Sequence, residues 1–157
     1  MAKLQLPAID PADVKSEQGS NYPEPYAGRV RGRHRRRLGN AAGLKNFGVN
    51  LVTLEPGAES SMRHAHGTQD EFVYVIEGAI TLVTNDGRQT LTPGMTAGFP
   101  AGNGDAHQLI NETAAPVRYL EVGDRSPGDA VVYPDVDMAA KSIDGKWVFT
   151  HKDGKPY

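Results

Sequence analysis

The sequence predicts an all-β fold of short strands, arranged as a sandwich or a barrel. Its 157 residues include 18 Gly and 11 Pro without a repeat period, which indicates many tight turns rather than a helical bundle. Short segments rich in alternating apolar and β-branched residues follow one another between these turns. The chain contains no Cys, which excludes a disulfide scaffold, a Cys-type zinc finger and a Cys-ligated iron–sulfur cluster.

The strands are predicted for the central part of the chain, where turn residues separate them. Pro-Gly pairs at 56–57 and 93–94 and an Asn-Asp-Gly turn at 85–87 mark three of the boundaries. In chain order, the predicted strands cover residues 48–54, 60–66, 71–77, 79–84, 88–91, 96–99, 107–112 and 117–122.

Residues 71–77 (EFVYVIE) show the alternation of a strand with one buried face. Alternation from Glu71 places Val73 and Val75 inside the domain. The outward row consists of Phe72, Tyr74 and Ile76. Because this row is apolar, we expect a second sheet, the N-terminal segment or another subunit to cover it.

The two ends of the chain differ from its centre. Four prolines in residues 1–28 predict an extended arm, with a helical turn near residues 12–18, and residues 29–38 predict an exposed or edge strand. The tail from residue 123 is polar but carries four aromatic residues, so we expect it to pack on the domain. Residues 139–142 are the only part of the tail for which a helix is predicted.

Several classes of protein are disfavoured by composition. The net charge of −2 argues against a nucleic-acid-binding or membrane-surface protein. The longest purely apolar run has five residues, which is too short to span a membrane. Residues 1–10 lack an apolar signal-peptide core, so we expect a cytoplasmic location.

Three of the five histidines and one glutamate form the most informative pattern. His64 and His66 lie two positions apart in a predicted strand, so alternation directs both imidazoles to one face. Glu71 opens the next strand, and His107 follows a Gly-rich loop, so a closed barrel can bring both to the same point. Three imidazoles and a carboxylate suit one divalent ion of Mn, Fe, Ni, Co or Zn and leave coordination positions open.

Two spaced motifs resemble those of the cupin superfamily. The first cupin motif, G-x5-H-x-H-x(3,4)-E-x6-G, is matched with six residues instead of five before the first histidine. The second, G-x5-P-x-G-x2-H-x3-N, is matched with a two-residue insertion before the histidine. The matching positions are Gly57, His64, His66, Glu71 and Gly78 in the first motif, and Gly94, Pro100, Gly102, His107 and Asn111 in the second. The chain is thus similar to small bacterial single-domain cupins.

The resemblance implies a double-stranded β-helix, or jelly-roll barrel. Residues 1–43 would form an N-terminal arm and edge strand, residues 44–123 the cupin barrel, and residues 124–157 a C-terminal tail packed on the barrel. His64, His66, Glu71 and His107 would bind one divalent transition metal ion at the barrel mouth. Cupins are commonly dimers, so a homodimer through the outward row of residues 71–77 is implied as well.

The function implied is a metal-dependent enzyme acting on a small oxygen-rich organic molecule, by oxygenation, isomerisation or decarboxylation. The alternative is a non-catalytic small-molecule binding or sensor cupin. The sequence leaves open whether the protein is an enzyme, and it assigns no catalytic residue. For four residues, the sequence favours neither a role as pocket wall nor a place in the ordinary core: Met62, Phe99, Leu109 and Tyr119.

An arginine-rich stretch lies outside the two motifs. Six of the 17 basic residues fall within positions 29–37, and no aromatic residue is interleaved for base stacking. Alternation would place five of them on one strand face: Arg29, Arg31, Arg33, Arg35 and Arg37. We favour pairing with acidic residues, within the chain or across a dimer, over binding of an anionic small ligand or of nucleic acid. The acidic partners considered are Asp124, Asp129, Asp135 and Asp137.

Overall fold

Antiparallel strands are the main regular structure of the computed structural model, which describes residues 4–157. The strands are β1 (Ser16–Gln18), β2 (Arg33–Arg36), β3 (Phe47–Leu54), β4 (Ala65–His66), β5 (Glu71–Glu77), β6 (Ile80–Thr84), β7 (Gly87–Leu91), β8 (Thr96–Phe99), β9 (Gln108–Ile110), β10 (Val117–Asp124), β11 (Ala130–Val132), β12 (Ala139–Ile143) and β13 (Lys146–Thr150). One short helix, α1 (Leu38–Ala41), and two 3-10 turns (Pro11–Asp13 and Ala27–Val30) complete the described elements. The all-β prediction is confirmed.

Three sheets enclose the core. The largest has the order β1-β2-β3-β10-β5-β8, a second has the order β13-β12-β11-β4, and a third has the order β7-β6-β9. In the largest sheet, Val52 lies opposite Tyr119, which in turn lies opposite Val75. These three side chains are fully buried and belong to the main apolar cluster between the sheets.

Alternation in β5 is as predicted. Val73 and Val75 are buried, whereas Phe72, Tyr74 and Ile76 are 42%, 41% and 40% exposed. Neither the N-terminal segment nor another sheet of the described chain covers this outward row.

The two strands that carry histidines are shorter than predicted. Of residues 60–66, only Ala65–His66 form a strand, and of residues 107–112 only Gln108–Ile110 do so. The Ser60 side chain accounts for part of the difference, because its Oγ accepts the hydrogen bond of the Leu109 N–H at 3.0 Å in place of a backbone carbonyl. Pairing in this region therefore continues as isolated bridges.

Two helical predictions are wrong or only partly right. Residues 139–142 lie in β12, because both neighbouring strands β11 and β13 bond to it and the pairing overrides helix propensity. Of residues 12–18, only the start is helical, in the turn Pro11–Asp13. The following residues form β1, which pairs with β2.

The arginine-rich stretch is not one continuous strand. Arg29 lies in the 3-10 turn Ala27–Val30, and the strand covers only Arg33–Arg36. The prediction of five arginines on one strand face is therefore wrong. Strand β2 is also not the edge of its sheet, because β1 pairs with its other side.

The C-terminal segment completes the molecule around β4. Strand β11 pairs with β4, so that Val131 lies opposite His66. A second apolar cluster forms beneath this sheet, with Tyr133, Trp147 and Phe149 among its members. Among residues 4–157, no helix has the length and apolar character needed to cross a membrane.

Gly78 ends β5 in a conformation and a space that only glycine fits. Its φ is +79°, and a Cβ at this position would lie 2.9 Å from Cγ2 of Val117. The neighbouring carbonyl oxygen of Pro116 would be 3.3 Å away. Both backbone strain and steric overlap therefore oppose any side chain here.

We expect Gly78→Ala to lower the free energy of unfolding by about 2–4 kcal/mol, combining left-handed strain with overlap against β10. Gly94→Ala is the matched control, since Gly94 has a φ of +89° but open space around its Cβ position. We expect about 1–2 kcal/mol for that control, from strain alone. Urea unfolding would measure both values. Equal losses in the two variants would contradict the steric argument.

Candidate metal centre

The four predicted ligand residues come from three regions of the fold. His64 and His66 lie at β4, Glu71 opens β5, and His107 immediately precedes β9. His64 and His107 form an antiparallel bridge, with backbone N–H groups donating to carbonyl oxygens at 3.0 and 2.8 Å. The loop with the two-residue insertion is held against β4, because the Gly102 N–H donates to the carbonyl of His66 at 2.9 Å. The insertion thus leaves His107 beside the other three residues.

The four side chains converge on one carboxylate oxygen. Oε2 of Glu71 lies 3.7 Å from Nε2 of His64, 3.6 Å from Nε2 of His66 and 3.1 Å from Nε2 of His107. One potential ligand atom from each of His64, His66 and Glu71 lies within 4.8 Å of the others. The four side chains are largely shielded from solvent.

Asp129 orients His66. Its Oδ2 lies 2.6 Å from Nδ1 of His66, and its Oδ1 accepts from the backbone N–H and the hydroxyl of Thr68 at 2.8 and 3.2 Å. Burial of Asp129 opposes ionisation, but the hydrogen bonds from His66 and Thr68 outweigh it and hold the pKa of this carboxyl below its usual value. An ionised carboxylate only accepts, so Nδ1 of His66 carries the proton and Nε2 presents its lone pair.

His64 is oriented in the same way by the backbone. Its Nδ1 lies 3.0 Å from the carbonyl oxygen of Met62 and 3.2 Å from Oγ of Ser61. Because a carbonyl oxygen only accepts, Nδ1 is the protonated nitrogen of the neutral ring. Nε2 of His64 therefore also directs a lone pair toward Glu71.

His107 is held mainly by packing. The Phe99 ring stacks on it with centroids 3.6 Å apart and planes 7° from parallel. Its Nδ1 is buried without a hydrogen-bond partner among the described residues.

The residues fit a cation at this point. Burial alone would raise the pKa of Glu71, but the hydrogen bond with Nε2 of His107 holds that pKa well below the usual range. Two imidazole nitrogens with free lone pairs then lie within 4 Å of an ionised carboxylate oxygen. Three acceptors at this separation repel one another unless they share a positive charge, and nitrogen and oxygen donors of this kind suit a divalent transition metal ion.

A cavity of about 270 Å³ opens beside the four residues and is lined by both aromatic and charged groups. Leu109 and Tyr119 line this cavity, so they are pocket walls, which is one of the two roles that the sequence left open for them. Phe99 lies against His107. Met62 instead belongs to the second apolar cluster. Trp147 from β13 also lines the cavity, with its ring 6.2 Å from that of His66.

The arginine-rich stretch also reaches this cavity. Arg33, Arg35 and Arg37 all line it. The arginines that are paired use glutamates: Arg29 pairs with Glu59, Arg33 with Glu121, and Arg37 with Glu17, while Arg35 lies 3.6 Å from the same Glu17 carboxylate.

None of the four aspartates that we considered as partners pairs with an arginine of the arginine-rich stretch. Asp129 contacts His66, Asp135 pairs with Arg63, Asp137 contacts His151, and Asp124 accepts backbone N–H groups. The prediction of pairing with these aspartates within the chain is therefore wrong, because chain distance and charge alone do not show which acidic group the fold brings close.

Sequence patterns missed the role of Asp129 at the centre. It lies 63 positions from His66, in a segment expected only to pack on the barrel. No spacing rule links it to the two motifs, and the pairing of β11 with β4 alone brings it beside His66.

Comparisons with known proteins agree with this architecture. A family model described as "Cupin domain" matches residues 50–123. The chain is 47% identical to the structure of a sugar phosphate isomerase from a cupin superfamily of Silicibacter pomeroyi, with a TM-score of 0.92 and 96% of each chain covered. It is 31% identical to a protein from Acidithiobacillus ferrooxidans assigned as a sugar phosphate isomerase, with a TM-score of 0.74 over 83% of this chain and 82% of that one.

A more distant structure shares the fold alone. The polyketide cyclase RemF from Streptomyces resistomycificus is 21% identical, with a TM-score of 0.68 over 84% of this chain and 87% of that one. No curated protein sequence matches the chain. The motifs, the antiparallel jelly-roll barrel and the 47% identity over nearly the whole length together show that the chain belongs to the cupin superfamily.

Proposed function

We propose that this protein is a divalent-metal-dependent isomerase acting on a small sugar. The observation that carries the proposal is the convergence of two imidazole lone pairs on the ionised carboxylate of Glu71, inside a cavity large enough for a small molecule. Isomerisation is favoured over oxygenation and decarboxylation because two relatives, 47% and 31% identical over most of the chain, are described as sugar phosphate isomerases.

His64, His66, Glu71 and His107 would hold the ion. When bound, a divalent ion supplies Lewis-acid polarisation of a substrate oxygen. The chain's own contribution is to fix the two imidazole tautomers through Met62 and Asp129 and to shield the site from water. Trp147 and Phe99 supply the aromatic part of the surroundings.

We expect one divalent transition metal ion per chain, and sugar isomerisation that depends on it. His66→Ala should lower metal loading at least tenfold and abolish turnover, because it removes a ligand. His34→Ala is the control, since His34 lies on β2 and does not line the cavity. Metal analysis after incubation with Mn, Fe, Co, Ni or Zn, and NMR of aldose and ketose mixtures, would measure both quantities.

Two outcomes would contradict this proposal in different ways. A wild-type protein that takes up none of these metals would rule out the metal centre. A metal-loaded protein that binds sugars but converts none would favour the non-catalytic binding or sensor function. Circular dichroism of His66→Ala would show whether the barrel still folds.

Asp129 is expected to act as a positioning residue for the metal ligand His66. We predict that Asp129→Asn lowers metal affinity about 10- to 100-fold, since a neutral amide orients the imidazole less strongly than a carboxylate does. Asp137→Asn is the matched control, because Asp137 contacts Nδ1 of His151 at 2.8 Å on the surface. Competition with a chelator would measure both affinities, and equal values for wild type and Asp129→Asn would exclude this role.

We also propose that the protein is a homodimer through the outward row of Phe72, Tyr74 and Ile76. Each is about 40% exposed, and the row is flanked by the exposed pair Arg118 and Glu77. A two-fold contact brings the same patch from both copies together, so an apolar row with one positive and one negative neighbour is self-complementary.

Sedimentation velocity should therefore show a dimer for the wild type and a monomer for Tyr74→Glu, because a buried unpaired charge opposes association. Val132→Glu is the control, since Val132 is 58% exposed on β11, outside the row. A wild-type protein that remains monomeric at every concentration would contradict the dimer.

A further inference from the structure

Two arginines point into the interior of this barrel. In the register of β2 with β3, Arg33 lies opposite Leu54 and Arg35 lies opposite Val52. Both apolar partners are fully buried, so the same face of β2 turns Arg33 and Arg35 inward. Burying a guanidinium group in the barrel interior raises the free energy of the folded protein unless an acceptor or an anion binds to that group.

Arg33 and Arg37 have such partners. Nη2 of Arg33 lies 3.2 Å from Oε2 of Glu121, and Nε of Arg37 donates to Oε2 of Glu17 at 2.8 Å. Apart from Glu121 and from Glu71 of the candidate metal centre, the acidic groups on the wall of the cavity of about 270 Å³ accept hydrogen bonds from backbone donors. Asp70 accepts from the N–H of Ala101, and Asp124 accepts from two further N–H groups.

Arg35 is the exception. Its nearest acidic atom, Oε2 of Glu17, is 3.6 Å away and already accepts from Arg37. Its side chain is 22% exposed, its Nε is buried without a partner, and it makes no side-chain hydrogen bond to any described residue. Burial and the adjacent charge of Arg33 lower the pKa of Arg35, which shows that its surroundings disfavour the positive charge as they stand.

Two further donors beside Arg35 also lack acceptors. Tyr119, which faces Val52 across β3 and β10, is 0% exposed and its hydroxyl has no hydrogen-bond partner among the described residues. Burial raises the pKa of Tyr119, so the hydroxyl keeps its proton and remains a donor. Nε of Arg33 is unpartnered as well. This end of the cavity therefore has donors and positive charge but too few acceptors.

We propose that Arg35, assisted by Arg33 and Arg37, binds the phosphate group of a phosphorylated sugar in the cavity that also contains the metal ligands. This assignment rests on the proposed function and names the substrate class for that site. A phosphate group supplies the missing charge and several acceptor oxygens, which the planar fork of an arginine matches well. The cavity of about 270 Å³ and an adjoining one of about 490 Å³ share His64 and His66 with the three arginines, so one ligand can reach both groups.

The single tryptophan supplies a direct measurement of binding. Trp147 lines both cavities, so its fluorescence should respond to a ligand bound there. Metal-stripped full-length protein would be titrated with inorganic phosphate and with acetate at constant ionic strength. We expect saturable binding of phosphate, at least tenfold tighter than that of acetate.

Substitutions at Arg35 provide the critical comparison. Arg35→Gln should weaken phosphate binding at least tenfold, and Arg35→Lys should give an intermediate value because it keeps the charge but loses the fork. Arg31→Gln is the control, since Arg31 is exposed and lies outside both cavities. The thermal midpoint of Arg35→Gln should equal or exceed that of the wild type, because the Arg35 side chain makes no hydrogen bond to a described residue that the substitution would remove.

Three results would overturn the phosphate site: no saturable phosphate binding by the wild type, equal binding by Arg35→Gln, or acetate binding as tight as phosphate. The last would assign the site to carboxylates instead. These titrations need no metal, so their failure is distinct from a failure of metal loading. Metal content of Arg35→Gln should match that of the wild type.

Discussion

Repulsion between acceptor atoms is the constraint on which the centre of this protein depends. Two imidazole nitrogens lie within 4 Å of an ionised carboxylate oxygen, and all three groups are held away from most solvent. Their orientation is not free to relax, because Met62 and Asp129 hold the opposite nitrogen of each ring. This arrangement fits a cation, and the stiffness of the surrounding sheets prevents the side chains from turning away.

The C-terminal segment is part of this centre rather than a covering added to it. Strand β11 pairs with β4 and brings Asp129 beside His66, while β13 brings Trp147 to the cavity wall. The ligand strand β4 has only two residues and pairs with β11, so its position depends on the segment beyond residue 123. Removing that segment would affect both packing and ligand orientation.

Arg33, Arg35 and Arg37 give the same cavity a second, positively charged part of its wall. The carboxylates of Asp70 and Asp124 already accept hydrogen bonds, whereas Nε of Arg35 and the hydroxyl of Tyr119 have no acceptor among residues 4–157. The cavity thus combines groups that fit a cation with groups that fit an anion. A substrate with a neutral oxygen-rich part and a negatively charged group matches both, which links the proposed metal site to the proposed phosphate site.

The sequence by itself determined the local features of this protein. Period-two alternation set the inward and outward faces of β5, and the H-x-H spacing placed two imidazoles on one side of β4, because both follow from strand geometry. The two motifs also identified the fold. Only the tertiary structure decided which distant groups meet: His66 rather than an arginine at the carboxylate of Asp129, and Arg35 inside the barrel, sharing the carboxylate of Glu17 with Arg37. Such contacts depend on strand pairing between segments far apart in the chain, and charge patterns along the sequence do not encode that pairing.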